Sequence, residues 1–182
     1  MSEGTGEMTE VLSRARRVRL LLMDCDGVLT DGRITLIGDS DEQKSFHTHD
    51  GHGLVLLHRA GLRSGIISGR TSSVVERRAR ELGIHFLHQG CRDKIKEFEQ
   101  VLSEADVKSE EAAYVGDDVV DIPLMMRAGL AVAVADAVEE TRAVAHYVTE
   151  RTGGHGAVRE VAELILKAQG RWADLMRRYA GE

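Results

Sequence analysis

Two acidic clusters carry most of the chemistry open to this chain. Asp24-Cys25-Asp26-Gly27-Val28-Leu29-Thr30-Asp31-Gly32 directly follows the apolar run Val18–Met23, and Gly116-Asp117-Asp118-Val119-Val120-Asp121 follows Ala112-Ala113-Tyr114-Val115 in the same way. Like charges about 4 Å apart repel by roughly 4 kcal/mol at an effective dielectric of 20. A hard divalent cation with oxygen ligands removes that repulsion, and Mg²⁺ is the usual ion where a phosphate completes the shell. Aspartates also cap helices and form turns. That explanation suffices for one pair but not for two clusters that each end an apolar run. Ser68-Gly69-Arg70 ends a second run, and Lys94 opens a helical segment after a third. A hydroxyl, a backbone amide such as that of Gly69 and an ammonium are what a phosphate dianion needs. Singly, Ser68 reads as a cap and Lys94 as a solvated surface lysine. Together with the acids they form an ordered series at the ends of short apolar runs.

The elements that must position these residues follow from periodicity. Short apolar runs recur at Val18–Met23, Gly65–Ile67, Ile84–Leu87, Ala112–Val115, Leu130–Val134 and His146–Val148, as buried parallel strands do. Between them, Gly53–Ala60, Ser73–Leu82, Asp93–Glu104, Val119–Ala128, Val138–Ala145 and Ala157–Ala168 read as helices. Ser73 followed by Glu76 suggests a capping box, and Pro123 falls where a first helical turn tolerates it. The alternation predicts an α/β fold, a Rossmann-like parallel sheet flanked by helices. In such sheets ligands bind beyond the carboxyl ends of the strands, where all four groups fall. Thr30–Thr48 breaks the rhythm and reads as a projecting β-hairpin around Gly38-Asp39-Ser40-Asp41. A lone hairpin is marginal in water, so it is expected to pack on another subunit or back onto its own domain. Residues 1–17 read as a polar, frayed leader, 18–170 as a single domain and 171–182 as a tail.

Composition narrows the classes. The chain has 182 residues, and 24 basic against 30 acidic side chains leave a formal charge of −6. An acidic balance argues against nucleic acid as a partner. No apolar run is long enough for a membrane span, and the N-terminal stretch shows no secretory signal. Two cysteines cannot build a disulfide scaffold. The cytoplasm is the expected location.

The order Asp-x-Asp-Gly-Val, Ser-Gly-Arg, Asp-Lys and Gly-Asp-Asp-x-x-Asp resembles the haloacid dehalogenase superfamily of aspartate-nucleophile phosphatases. More narrowly it is similar to the small capless branch acting on 3-deoxy-D-manno-octulosonate 8-phosphate. The narrower likeness rests on Asp26–Gly32, Lys44-x-Phe46 with Asp50-Gly51-x-Gly53, Gln89-Gly90 before Asp93-Lys94, and Gly153-Gly154-x-Gly156-Ala157-Val158-Arg159-Glu160. It spans about Arg19 to Gln169. The resemblance implies Asp24 as nucleophile and Asp26 as general acid and base. It implies Mg²⁺ on Asp24, the Asp26 main-chain carbonyl and Asp117, with Asp118 and Asp121 orienting or completing the shell. Ser68 and Lys94 would bind phosphoryl oxygens.

The same likeness implies a substrate that is a small phosphorylated sugar acid of lipopolysaccharide biosynthesis. It also implies a homotetramer with hairpins at its centre and C-terminal segments of adjacent protomers near the active sites. There is no room for a cap domain, and the Gly153–Gly156 turn is expected to be the mobile part of a lid. Arg70 is the candidate for the sugar carboxylate, and relatives acting on nine-carbon acids look to have Glu there. Asp50 and His52 are expected to line the substrate pocket. His155 stands where relatives often have Arg, and the hairpin tip is unusually acidic. His47, His49 and His52 invite a zinc reading, but their spacing matches no common zinc pattern. Cys25 lacks a His to activate it and is expected to face the core. Competing readings are a nonulosonate 9-phosphate or broader sugar phosphatase, a silent oligomerisation module, and a phospho-accepting receiver.

Overall fold

The structure, a computed structural model, describes residues 3–38 and 41–180. Its strands are β1 (Leu20–Met23), β2 (Thr35–Ile37), β3 (Asp41–Gln43), β4 (Arg63–Ile67), β5 (Phe86–His88), β6 (Ala112–Gly116), β7 (Leu130–Ala133) and β8 (Tyr147–Val148). Its helices are α1 (Glu3–Arg17), α2 (Thr48–Arg59), α3 (Ser73–Leu82), α4 (Lys94–Ala105), α5 (Ile122–Met125), α6 (Glu139–Val144), α7 (Ala157–Ala168) and α8 (Trp172–Ala180). Six strands form one sheet in the order β5-β4-β1-β6-β7-β8, and every pairing in it is parallel. All residues of β1, β6 and β7 are buried, so both faces of the central sheet are covered. Helices α1, α2 and α7 pack together, α3 lies beside α2, and α5 packs with α4 and α6.

The chain places β4 and β5 on one side of β1 and then crosses to lay down β6, β7 and β8 on the other. The switch in strand order therefore falls at β1, between β4 and β6. That is where an open α/β sheet leaves a crevice at its carboxyl edge. The hairpin is β2 paired antiparallel with β3, separate from the main sheet. Its Ile34, Leu36 and Ile37 are exposed. Of the acidic tip, Asp39 and Ser40 lie outside the described residues.

Several expectations need correction. The polar leader is helix α1 from Glu3 onward, and it packs against α7. Val11, Ala15 and Val18 bury one stripe of it and its exit, a spacing that many charged neighbours obscure. The cap of α3 is Ser72, not Ser73; its hydroxyl accepts from the amide of Val75. The expected helix 119–128 is split into a 3₁₀ turn, Val119–Asp121, and the short α5. Pro123 sits at the start of α5, where its missing N–H costs nothing.

Among the described residues, no helix is long and apolar enough to cross a membrane. The expected mobile turn 153–156 is instead clamped. The Gly154 amide donates to Val28 O at 2.9 Å, and the Gly153 amide to Asp136 Oδ1 at 2.9 Å. A Cβ on Gly153 would fall 1.7 Å from Gly27 O. Gly153→Ala is therefore expected to push the loop after β1 out of place at a cost of about 1–3 kcal/mol or more. In a chain of this size each kcal/mol lowers Tm by about 2–4 °C. A thermal melt identical to that of the natural chain would refute this close packing.

Candidate active site

The functional side chains stand in the segments that follow strands β1, β4, β5 and β6. Asp24 follows β1 directly, and its amide continues the ladder by donating to Val115 O at 3.0 Å. The next residues wind into one tight turn, in which the amides of Val28, Leu29 and Thr30 all donate to Cys25 O. Ser68 follows β4, and its amide donates to His88 O at 2.9 Å. Lys94 is the first residue of α4, whose N-terminus is capped by the Asp93 carboxylate. Asp117 follows β6. Parallel strand ends thus bring residues 24, 68, 94 and 117 together although they lie far apart in the chain.

Lys94 Nζ lies 3.1 Å from Asp24 Oδ2 and 2.8 Å from Asp121 Oδ1. The Cys25 amide donates to Asp24 Oδ1 at 2.8 Å. Asp121 is fully buried and well supplied with donors. Its Oδ1 also accepts from the Tyr114 hydroxyl at 2.9 Å, and its Oδ2 accepts from the amide of Asp117 at 3.1 Å. Asp118 is exposed and caps its own 3₁₀ turn through Val119 N. Asp117 differs from both, because its buried Oδ1 has no hydrogen-bond partner. Its carboxylate rests on bare Gly27 (φ +89°), where a Cβ would come within 2.1 Å of Asp117 Oδ2. Only glycine meets both demands.

This arrangement fits a divalent cation. Among the described residues, Asp24, Asp117 and Asp121 form the one cluster of acidic, His or Cys groups able to share a metal ion, with donor atoms within 4.8 Å of one another. Three carboxylates and one ammonium leave two negative charges. An unpartnered buried oxygen is the group a cation would satisfy. Burial, then the charge of Asp121, raises the Asp24 carboxyl to about 6, with Lys94 pulling the other way. Burial, Asp121 and Asp24 raise Asp117 to about 7. Burial opposes the charge on Lys94, but Asp121 and Asp24 outweigh it and keep the ammonium protonated.

A cavity of about 610 Å³ opens beside this cluster, over Asp24 and Lys94. Asp24, Asp26, Ser68, Gly69 and Lys94 line it, with Arg70 on one side and Ile95, Val120, Pro123 and Leu124 as an apolar wall. The Asp26 side chain is not part of the carboxylate cluster. Lys44 Nζ contacts its Oδ1, and Arg70 Nε lies 3.4 Å from its Oδ2. Arg70 Nη2 in turn donates to Glu42 Oε2 at 2.8 Å. Lys44 and Glu42 come from the hairpin arm and are not among the site residues expected from the sequence. The available signal was the alternation of Glu42, Lys44 and Phe46, which puts all three on one face of an extended segment. In the sequence Tyr114 stands out only as part of an apolar run.

Asp50 and His52 stand outside this cavity. Asp50 is buried and accepts from the amides of Gly156 (3.1 Å) and Arg159 (2.8 Å), so it caps α7 from α2. His52 Nε2 bonds the Tyr179 hydroxyl at 3.0 Å, and with His49 it lines a separate hollow beside Arg151 and Arg159. His47 caps α2, its Nδ1 accepting from the His49 amide. His155 Nδ1 lies 2.8 Å from Gly153 O. Cys25 is buried in the core, and burial followed by the charge of Asp26 pushes its thiol far up.

The family description haloacid dehalogenase-like hydrolase matches residues 79–161. The chain is 44% identical over 160 residues to the 3-deoxy-D-manno-octulosonate 8-phosphate phosphatase of Yersinia pestis, covering 88% of this chain and 86% of that protein. The chain belongs to the haloacid dehalogenase-like hydrolases. Within that family it groups with the phosphatases of this eight-carbon sugar acid. The crystal structure of the Moraxella catarrhalis member, solved with magnesium ion, phosphate ion and the KDO molecule, superposes with a TM-score of 0.92. It shares 41% identity, over 94% of this chain and 99% of that one. A haloacid dehalogenase superfamily hydrolase of subfamily III A from Legionella pneumophila gives a TM-score of 0.95 at 39% identity, over the full length of both chains.

Proposed function

We propose that this chain hydrolyses 3-deoxy-D-manno-octulosonate 8-phosphate to the free sugar acid and phosphate with Mg²⁺ bound. The observation that carries this reading is the meeting of Asp24 and Lys94 on the floor of one cavity with Arg70 at its edge, while Asp117, whose buried Oδ1 is unpartnered, shares a carboxylate cluster with Asp24. Likeness to phosphatases of this substrate supports the choice of sugar acid.

In the proposed sequence an Asp24 oxygen forms a bond to phosphorus as the bond to the sugar oxygen breaks. Asp26 gives that leaving oxygen a proton. Asp26 then takes a proton from a water that attacks the aspartyl phosphate, which releases phosphate and restores Asp24. Lys94 and the Ser68 hydroxyl hold phosphoryl oxygens, and Asp121 fixes Lys94 between itself and Asp24. Asp24, the Asp26 main-chain carbonyl and Asp117 would hold Mg²⁺. When bound, the ion neutralises the carboxylates so that a dianion can approach them. Arg70 pairs with the substrate carboxylate.

The exposed apolar hairpin supports the proposal of a homotetramer joined through its hairpins, and sedimentation equilibrium reads that directly. Two free thiols suit a cytoplasmic home. The function itself is tested by phosphate release from the eight-carbon substrate and from a nonulosonate 9-phosphate, each with and without Mg²⁺. The expected result is Mg²⁺-dependent release with kcat/KM at least tenfold higher for the eight-carbon acid. Preference for the nine-carbon acid would overturn the substrate assignment.

A further inference from the structure

The hairpin does more than project from the sheet. Strand β3 and the residues after it alternate, with Glu42, Lys44 and Phe46 partly buried and Gln43 and Ser45 exposed. This face turns toward the active site and closes a ring of four charged side chains. Arg70 Nη2 meets Glu42 Oε2 at 2.8 Å, while Arg70 Nε faces Asp26 Oδ2 at 3.4 Å. Lys44 Nζ contacts Asp26 Oδ1 and lies 3.5 Å from Glu42 Oε1. The Glu42 side chain is 13% exposed, whereas that of Arg70 is 46% exposed. A guanidinium held at one edge and open on the other is preorganised to accept a second carboxylate from solvent. Without Glu42, Arg70 would retain one acidic partner, Asp26, and its long side chain would regain rotamer freedom.

We propose that Glu42 is a positioning residue for substrate selection. It fixes the Arg70 guanidinium so that the open edge meets the carboxylate of the sugar acid. This rests on the reading of Arg70 as the carboxylate receptor and deepens it, because it makes the hairpin part of the specificity apparatus. Glu42 touches neither the phosphoryl group nor the reacting atoms and reaches Asp26 only through Lys44 and Arg70, so we assign the effect of its removal to substrate capture.

The experiment compares Glu42→Gln, Arg70→Ala and the double variant on two substrates: 3-deoxy-D-manno-octulosonate 8-phosphate and p-nitrophenyl phosphate, which has no carboxylate. Folding of each variant is checked by its thermal melt, and Glu42→Asp serves as a second variant that keeps the charge. In Glu42→Gln, KM for the sugar acid is expected to rise about five- to tenfold with kcat within about twofold. The loss in kcat/KM should be at least fivefold greater than for p-nitrophenyl phosphate. In the Arg70→Ala background the Glu42 substitution should add less than twofold, since groups acting through one another are non-additive.

Equal losses on both substrates, or a Glu42 effect that persists undiminished without Arg70, would overturn the proposal; the latter would show Glu42 acting through Lys44 on Asp26. A raised KM in Arg70→Ala with an unchanged KM in Glu42→Gln would overturn the role of Glu42 alone. An unchanged KM in Arg70→Ala would overturn the underlying reading of Arg70, and the proposal with it.

Discussion

Asp24→Asn is expected to abolish turnover while the protein stays folded and still binds phosphate. The amide keeps the shape of the carboxylate and can still accept from the Cys25 amide, but it cannot attack phosphorus to form an acyl phosphate. Loss of a nucleophile lowers kcat by about 10⁴–10⁶-fold in well-studied enzymes, and retention of more than about a hundredth of activity would contradict the assigned role. The fold should tolerate the change. Lys94 keeps its 2.8 Å contact with Asp121, and an uncharged group at 24 removes a negative charge that, after burial and Asp121, raises the Asp117 carboxyl. A Tm equal to or above that of the natural chain, measured without metal at neutral pH, separates lost chemistry from lost structure.

The second large effect joins metal and pH. Asp24 and Asp117 ionise near 6 and near 7 in the folded, metal-free chain, against about 3.9 when unfolded. The folded state therefore holds these protons more tightly. Their contribution to stability is fully present below about pH 4 and is lost as pH rises through about 6–7. Mg²⁺ competes with the same protons. The Mg²⁺-induced rise in Tm should be about 5–10 °C at pH 8 with ion at roughly 100 times its Kd, since that ratio is worth about 2.7 kcal/mol. At pH 5 the shift should nearly vanish. Chelation at pH 8 should remove turnover, and added Mg²⁺ should restore it. An equal Tm shift at both pH values, or a full shift in Asp117→Asn, would rule out this carboxylate pair as the metal seat.

What could be read beforehand follows the reach of the interactions involved. Asp24, Ser68, Lys94 and Asp117 were legible because a parallel sheet collects the residues after its strands at one edge, whatever the details of packing. Helices α3 and α7 were placed to the residue because their apolar faces repeat cleanly. Helix α1 was missed since only Val11, Ala15 and Val18 mark its buried side among many charges. Asp50 lies outside the cavity for a different reason. Its partners, the amides of Gly156 and Arg159, lie more than a hundred residues away, and nothing local announces that a carboxylate in α2 caps another helix. Glu42 and Lys44 belong to the same class: their chemistry depends on where the hairpin folds back, which periodicity cannot tell.

The central claim is that phosphate passes through a covalent bond to Asp24. Mixing enzyme, Mg²⁺ and 3-deoxy-D-manno-octulosonate 8-phosphate, quenching with acid within milliseconds and reducing with borohydride converts a phosphorylated aspartate into homoserine. Peptide mass spectrometry of the segment around Asp24 then reads the site. The account predicts homoserine at position 24, absent when substrate is withheld. Phosphate release in the same samples with position 24 unmodified, or with the mark on another carboxylate, would contradict it.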